Sequence, residues 1–223
     1  MPAEPKALVL DLDGTLVESL PDLAASVNEL LGELGRATLA DAEIAAMVGD
    51  GARKLVERAL AARGIAGDET ERAQRRFLEI YEARPAALSR PYPGAEATLG
   101  RLAAGGWRLA LCTNKPMRVT RIMLRALDLE RFFGATIAGD SLPVRKPDPA
   151  PLLAALQALG VAPARGIAVG DHANDLLAAA AAGVAAIWAE YGYGSLEARL
   201  PPPAAVIHAF SELAPAAARL LPD

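Results

Sequence analysis

Short apolar runs bounded by turn residues recur along this chain and alternate with stretches of helical periodicity. The runs that predict strands are Ala7–Leu10, Arg108–Cys112, Ala135–Ala138, Gly166–Val169 and Ala185–Trp188. Helical patterns lie between most of them, at Pro116–Leu127, Pro149–Leu159 and Asp175–Ala182. This alternation is typical of a parallel sheet that is covered by helices on both faces. The pattern therefore predicts an α/β fold with a doubly wound parallel sheet.

One long stretch, from Val17 to about Ser89, interrupts the alternation. It contains no strand pattern, and its periodicity predicts four helices, at Asp22–Leu34, Asp41–Met47, Gly51–Ala62 and Asp68–Ala83. The segment RPYPG that follows, residues 90–94, has two prolines that stop a helix and turn the chain. We therefore expect an all-helical domain at residues 17–88, inserted into a core made of residues 1–16 and 89–223.

Polar residues collect where the predicted strands end. In an open parallel sheet, ligands bind at the carboxyl ends of the strands, so these residues are expected to share one edge of the sheet. A further contribution is the lysine of RKPDPAP, before the fourth strand, where we expect Asp148 to cap the next helix. The candidate set is Asp11, Asp13, Gly14, Thr15, Thr113, Asn114, Lys115, Lys146, Asp171 and Asp175.

This set predicts phosphoryl chemistry with a hard cation. Four carboxylates at one place repel one another unless a cation compensates them, and an oxygen-only cluster suits Mg²⁺. Asp11 could attack phosphorus, and Asp13 could exchange a proton with the leaving oxygen and with water. A lone pair of aspartates is weak evidence, because such pairs are often solvated or cap helices, but the full set makes that interpretation improbable.

Composition narrows the range of partners. The chain has 223 residues, 52% of them hydrophobic, a net charge of −4 and 4% aromatic residues, which disfavours nucleic acid as a partner. One cysteine, Cys112, and two histidines disfavour a disulfide or a soft-metal centre. No apolar run is long enough to span a bilayer and the N-terminus lacks a signal-peptide layout, so we expect a cytoplasmic monomer or homodimer without membrane contact.

Four segments, in order, resemble the motifs of the haloacid dehalogenase-like phosphatase superfamily: DLDGTLVES from Asp11, CTNKP from Cys112, RKPDP from Arg145 and VGDHAND from Val169. The helical insertion resembles the mobile cap of that superfamily. The resemblance covers essentially the whole chain and implies a Rossmann-like core, Mg²⁺ as cofactor and an aspartyl-phosphate intermediate.

Residue roles follow from the same resemblance. It implies that Asp11 is the nucleophile and a magnesium ligand, and that Asp13 is the acid and base and also a ligand through its backbone carbonyl. Asp171 is implied as a further ligand. The remaining implied roles are the binding of the phosphoryl group by Thr113 and Lys146, and the support of Lys146 or of metal-bound water by Asp175.

Within the superfamily, the chain is most similar to bacterial phosphoglycolate phosphatases. The likeness rests on TNKP, KPDP, the segment VGDGARKLVERAL from Val48 and YGY at residues 191–193. It implies a small, carboxylate-bearing phosphate ester as substrate, most simply 2-phosphoglycolate.

Further binding contacts are expected around the substrate. We expect Asp50 to cap a helix whose N-terminus faces the site, and Arg53 to receive the substrate carboxylate, although a solvated cationic helix face explains Arg53 equally well. Gly14 would let the backbone approach the phosphoryl oxygens and Thr15 would brace the loop. The last expected contacts are made by Asn114 and by Lys115, the latter through its backbone.

Several alternatives remain open. A phosphatase for a sugar phosphate, an amino-sugar phosphate, a nucleotide or pyrophosphate would use the same residues, and so would a sugar phosphomutase. A dehalogenase or a phosphonate hydrolase would not be expected to keep Asp13. Outside enzymes, a receiver-like phosphoacceptor module has a similar acidic pocket, but such modules are about half this length and have no cap.

Overall fold

The computed structural model describes residues 4–65 and 69–222. Its strands are β1 (Lys6–Leu10), β2 (Val17–Glu18), β3 (Arg90–Pro91), β4 (Trp107–Cys112), β5 (Ala135–Ile137), β6 (Gly166–Gly170), β7 (Ala185–Ala189) and β8 (Ala205–Ile207). Its α-helices are α1 (Leu20–Glu33), α2 (Asp41–Ala45), α3 (Ala52–Ala61), α4 (Thr70–Ala83), α5 (Ala95–Ala104), α6 (Met117–Ala126), α7 (Ala150–Ala158), α8 (Ala173–Ala182) and α9 (Leu213–Leu220). Within the described ranges, no helix combines the length and the hydropathy needed to cross a membrane.

Six of the strands form one parallel sheet in the order β5-β4-β1-β6-β7-β8. β1 lies near the middle, with Leu8 opposite both Leu109 of β4 and Ile167 of β6. The predicted doubly wound α/β sheet is confirmed. β8 adds a sixth strand at the edge, and it ends one residue before His208.

Continuous apolar runs form these strands because both faces of the sheet are buried. Alternate residues of β1 point to opposite faces, so Leu8 and Leu10 join the larger core cluster while Ala7 and Val9 join a second one. Helices α7 and α8 pack against the strands of the sheet. The second cluster is lined largely by alanine and valine, which lets helices approach the sheet closely.

The helical insertion leaves and rejoins the core at one place. β2 and β3 pair antiparallel, with Val17 opposite Pro91 and Glu18 opposite Arg90. The sequence predicts no strand here, and that expectation is wrong, because a ladder of two residues per strand is too short to produce an alternating pattern. The predicted start of the fourth cap helix, Asp68, lies outside the described residues. The division at residues 17–88 stays a prediction.

A buried carboxylate closes this junction. Asp22, in the first turn of α1, accepts hydrogen bonds from the Leu88 backbone N–H, at 3.0 and 3.1 Å, and from the Ser89 backbone N–H, at 2.7 Å. The Ser89 hydroxyl donates to it as well, at 2.6 Å. The first turn of the insertion is therefore fastened to its last residues. Buried polar groups that lose such partners are costly to leave unsatisfied.

We expect Asp22→Ala to lower the free energy of unfolding by about 3 kcal/mol, because the Ser89 hydroxyl and two amides would lose their acceptor. For a chain of this size the melting temperature should fall by about 6–12 °C, which calorimetry would measure. Asp41→Ala is the matched control, since Asp41 is exposed in the first turn of α2. A similar loss in both variants would contradict this role of Asp22.

Candidate active site

A buried lysine lies between two aspartates at the carboxyl edge of the sheet. The Nζ atom of Lys146 is 3.0 Å from Asp11 Oδ1 and 2.6 Å from Asp175 Oδ1, and it donates to the Cys112 carbonyl at 2.6 Å. Burial alone would lower the pKa of Lys146, but the charges of Asp11 and Asp175 hold it above its usual range. The lysine is therefore a fixed positive charge behind the predicted nucleophile.

Asp171 is held by the loop that follows β1 and by the loop that follows β7. Its Oδ1 accepts from the Thr15 hydroxyl at 2.7 Å, and its Oδ2 accepts from the Tyr193 backbone N–H at 2.8 Å. Gly14 has a φ of +80° and a Cβ at this position would lie 2.3 Å from Asp171 Oδ2, so only glycine fits. Thr15 thus braces the carboxylate.

The carboxylates Asp11, Asp171 and Asp175 each offer an oxygen within 4.8 Å of the others. Burial raises the pKa of Asp11 to about 6, against the opposing effect of Lys146. Burial, followed by the charges of Asp11 and Asp175, raises the pKa of Asp171 to about 7. Three buried carboxylates face one lysine, so ionising all of them leaves negative charge uncompensated.

This donor set fits a hard divalent cation. Asp11 Oδ1 is buried and has no hydrogen-bond partner, although Lys146 is within ion-pair distance. Both oxygens of Asp175 are engaged, one by Lys146 and the other by the His172 backbone N–H at 3.1 Å. Asp11 and Asp171 are therefore the side chains best placed to hold the ion, and Asp175 supports Lys146. Ligation by the Asp13 carbonyl stays a prediction.

A small cavity opens in front of Asp11, between the sheet edge and the helical insertion. Its volume is about 40 Å³, which holds about three water molecules. Five predicted site residues line it, together with apolar residues of the insertion. The core residues are Asp11, Asp13, Thr113, Asn114 and Lys115, and the insertion contributes among others Leu23, Val48, Leu55, Phe77 and Tyr81.

Asp13 is bound by two partners at the cavity, through three contacts. Lys115 Nζ lies 2.7 and 2.9 Å from its two carboxylate oxygens, and the Ser19 hydroxyl donates to Oδ1 at 2.5 Å. Lys115 Nζ also donates to the Tyr81 hydroxyl of α4 at 2.7 Å. The side chain of Lys115, and not only its backbone, therefore belongs to the site. Burial, and then the charge of Asp13, keep the pKa of Tyr81 well above its usual range.

The loop before α3 is bonded to the core. The Gly49 carbonyl accepts from Asn114 Nδ2 at 3.0 Å and from Asn174 Nδ2 at 3.3 Å. Asn174 Nδ2 also donates to Asp50 Oδ1 at 2.7 Å. Because Asn114 Nδ2 donates in addition to the Lys146 carbonyl at 2.9 Å, this side chain acts as a brace. Its predicted contact with substrate would need other atoms.

The expectation that Asp50 caps α3 is wrong. The residue before the helix is Gly51, with a φ of +85°, and no side chain caps it. Asp50 bonds instead to Asn174 and to Arg58, which lies in the second turn of α3. The helix begins one residue later than the sequence predicts, and the carboxylate turns away from its first amides.

Arg53 is not brought to the cavity. Ala52 and Leu55 line it, and Arg53 lies about 100° around the helix from Ala52, on an exposed face. The role of Arg53 as carboxylate receptor stays a prediction, without a contact in this arrangement. The expectation that Asp148 caps α7 is wrong, because the residue before this helix is Pro149; Asp148 still accepts from the Ala150 backbone N–H at 2.8 Å at the start of the helix.

Several residues at the site have no predicted role. Ser19 and Asn174 lie inside quoted motifs, and Tyr193 lies in YGY, so their positions in the sequence were the available signal. No feature of the sequence marks Tyr81 as a site residue, because an aromatic residue on the apolar face of a helix is usually part of the hydrophobic core. His172 lines the cavity and caps α8 through Nδ1, which accepts from the Asn174 backbone N–H at 3.3 Å.

Burial raises the pKa of the Cys112 thiol to about 12, which agrees with an inert core thiol.

Comparison with known proteins identifies close relatives. A family profile described as haloacid dehalogenase-like hydrolase matches residues 5–183. A protein of Cereibacter sphaeroides named phosphoglycolate phosphatase is 50% identical over 179 residues, which are 79% of this chain and 81% of that protein. A Rhodospirillum rubrum protein of the same name is 47% identical over 195 residues, 85% of this chain and 81% of that protein.

The fold has a close match among solved structures. The crystal structure of a predicted phosphoglycolate phosphatase from Haemophilus somnus superposes with a TM-score of 0.87 and 33% sequence identity. The match covers 96% of this chain and 98% of that one, so the sheet and the helical insertion are both included.

We expect Mg²⁺ to stabilise the protein, and to do so more near pH 8 than near pH 5.5. The folded-state pKa values of Asp11 and Asp171, about 6 and about 7, lie above the ordinary value of 3.8. Without a cation the folded protein keeps these protons to a higher pH than the unfolded chain, so its stability falls as the pH rises through this range. A cation that binds the ionised carboxylates offsets the loss.

Thermal unfolding at the two pH values, with and without Mg²⁺, measures this effect. At a Mg²⁺ concentration ten times its dissociation constant, the melting temperature should rise by about 3 °C near pH 8. Asp171→Asn should abolish the response and Asp41→Asn, an exposed carboxylate, should keep it. A response that is unaffected by Asp171→Asn, or that is larger at the lower pH, would overturn the assignment.

Proposed function

The chain belongs to the haloacid dehalogenase-like hydrolase family, and on this premise we propose that it is a magnesium-dependent phosphatase that converts 2-phosphoglycolate to glycolate and phosphate. The observation that carries the proposal is the position of Asp11: a buried carboxylate 3.0 Å from Lys146 Nζ, at the wall of a cavity that Asp13 also lines. This is a nucleophile next to a fixed positive charge, and Asp13 is a second carboxyl group at the same cavity, which in its protonated form can give a proton to the leaving oxygen.

Two further observations support the choice of substrate. Relatives that are 50% and 47% identical to this chain carry the name phosphoglycolate phosphatase. The cavity is also lined by apolar side chains of the insertion, which suits a short ester better than a sugar phosphate or a nucleotide, whose additional polar groups would lack partners there. Its walls come from both the core and the insertion, so a larger substrate would require the insertion to move away.

The first chemical step belongs to Asp11 and Asp13. A carboxylate oxygen of Asp11 attacks phosphorus, and the bond between phosphorus and the ester oxygen breaks. Asp13 gives a proton to that oxygen, so that glycolate leaves as the alcohol. Lys146 and Thr113 bind the phosphoryl oxygens, and Asp175 holds Lys146 in place. Mg²⁺, when bound by Asp11 and Asp171, would supply positive charge that offsets the charge of the phosphoryl group.

The second step restores the enzyme. A water molecule attacks the phosphorus of the aspartyl phosphate, and Asp13, now ionised, takes a proton from it. The bond between phosphorus and the Asp11 oxygen breaks, which releases phosphate and the free carboxylate. Ser19 and Lys115 keep Asp13 at the cavity through both steps. The apolar side chains of the insertion restrict the entry of bulk water.

The test is release of phosphate with Mg²⁺ from a panel of esters: 2-phosphoglycolate, hexose and amino-sugar phosphates, nucleotides and pyrophosphate. We expect 2-phosphoglycolate to lead by about a hundredfold in kcat/KM, which is about 2.7 kcal/mol of transition-state discrimination. Asp11→Asn should reduce release to that of a protein-free blank, because the nucleophile is lost, and Asp41→Asn should match the unaltered protein.

The outcomes separate the chemistry from the substrate. A different ester in the lead would overturn 2-phosphoglycolate and keep the phosphatase. Stoichiometric phosphate release excludes a mutase for the ester tested. Activity that survives Asp11→Asn would contradict the assigned nucleophile, and a phosphorylated protein that does not turn over would favour a phosphoacceptor module.

A further inference from the structure

Lys115 places a positive charge inside the cavity. Its side chain is 3% exposed, and its Nζ lies 4.6 Å from the centre of the Tyr81 ring in addition to the hydrogen bond with the Tyr81 hydroxyl. Among the described residues that line the cavity, Lys115 is the one lysine or arginine; the titratable groups that accompany it are Asp11, Asp13, Tyr81 and His172. An anionic group that enters next to Asp13 meets this ammonium group.

All three N–H donors of Lys115 are engaged, but one of them can be exchanged for a ligand. An ammonium group has three N–H donors, and here two of the three contacts go to the same carboxylate, at 2.7 and 2.9 Å. One of these contacts can pass to a new anion while the other keeps a hydrogen bond to Asp13, which an ammonium group can donate to a carboxyl group in either protonation state. The lysine is already desolvated and positioned, so binding an anion does not require it to be buried again.

We propose that the ammonium group of Lys115 receives the carboxylate of the substrate and that Tyr81, from the insertion, positions it. The inference rests on the proposed function and specifies the class of substrate: esters with a carboxylate on the carbon that carries the phosphate. In such an ester the carboxylate is adjacent to the leaving oxygen, so its receptor must lie beside the proton donor. Lys115 lies at hydrogen-bond distance from Asp13 and meets this condition.

The competing receptor on the same cavity wall is Arg53 or the first amides of α3. Gly51 and Ala52 line the cavity, whereas Arg53 is exposed and Arg58 is already bonded to Asp50 and to the Met47 carbonyl. A carboxylate bound by α3 would contact neutral amides at the edge of the site. A carboxylate bound by Lys115 forms a charge-assisted hydrogen bond in a largely apolar cavity, where such bonds are stronger.

The test compares the binding of two esters that differ in the carboxylate, 2-phosphoglycolate and ethyl phosphate. Calorimetric titration in the Asp11→Asn background with Mg²⁺ measures dissociation constants without turnover. We expect this background to bind 2-phosphoglycolate at least about tenfold more tightly than ethyl phosphate. Adding Lys115→Met should reduce that preference to about twofold or less, because the thioether has similar length but no charge.

Matched variants separate a receptor from a structural residue. Lys54→Met makes the same substitution at an exposed lysine paired with Glu57, and it should keep the full preference. Arg53→Ala should also keep the full preference for 2-phosphoglycolate. Loss of that preference in Arg53→Ala would show that Arg53, and not Lys115, receives the carboxylate. Tyr81→Phe removes one hydroxyl, and should weaken binding of 2-phosphoglycolate by about threefold while leaving ethyl phosphate unchanged. This variant tests the inference even if Lys115→Met does not fold.

The inference can fail independently of the proposed function. A tenfold preference for 2-phosphoglycolate over ethyl phosphate that survives Lys115→Met would overturn the inference, and so would a preference that Tyr81→Phe leaves unchanged. The absence of any such preference in the Asp11→Asn background would overturn it as well. Phosphate release by the unaltered protein is measured separately. Turnover without carboxylate preference would remove Lys115 as receptor and leave the phosphatase, whereas a preference without turnover would keep the receptor and remove the catalytic proposal.

Discussion

The ion pairs of Lys146 with Asp11 and Asp175 are the interaction on which the rest of the site depends. A buried carboxylate is costly unless a positive charge or hydrogen bonds compensate it, and this lysine compensates two of them at once. It also donates to the Cys112 carbonyl at the end of β4. One side chain thereby joins the ends of three neighbouring strands, β4, β1 and β6, and fixes their loops relative to one another.

The order of the strands explains how residues so far apart in sequence meet. β1 lies between β4 and β6, so the loops that follow these three strands are adjacent at one edge of the sheet. The loop after β7 closes the arrangement, because the Tyr193 amide donates to Asp171 and the Tyr191 hydroxyl donates to the Thr15 carbonyl. The alternation of apolar strands with helices is therefore enough to predict from the sequence that the candidate carboxylates lie together.

What the sequence could not predict depends on contacts between the insertion and the core. Helical periodicity placed Arg53 on a helix near the site, but it could not say that Ala52 and Leu55 would face the cavity and leave Arg53 exposed. Tyr81 and Asn174 likewise acquire their roles only when α4 and the loop before α3 meet the sheet edge. Local patterns determine which helices form. The angle at which those helices pack against the sheet decides which of their side chains reach the substrate, and a single sequence carries no periodic signal for that angle.

The two short strands at the junction give the insertion an unusual kind of attachment. The chain crosses between core and insertion twice, side by side. Any movement of the helices relative to the core is therefore restricted mainly to rotation about this junction. The Tyr193 hydroxyl lies at this junction, where it accepts from the Ser19 and Leu20 amides and donates to Glu18. Rotation about this junction would carry the Gly49 carbonyl away from Asn114 and Asn174, and would break the hydrogen bonds that hold the loop before α3 to the core.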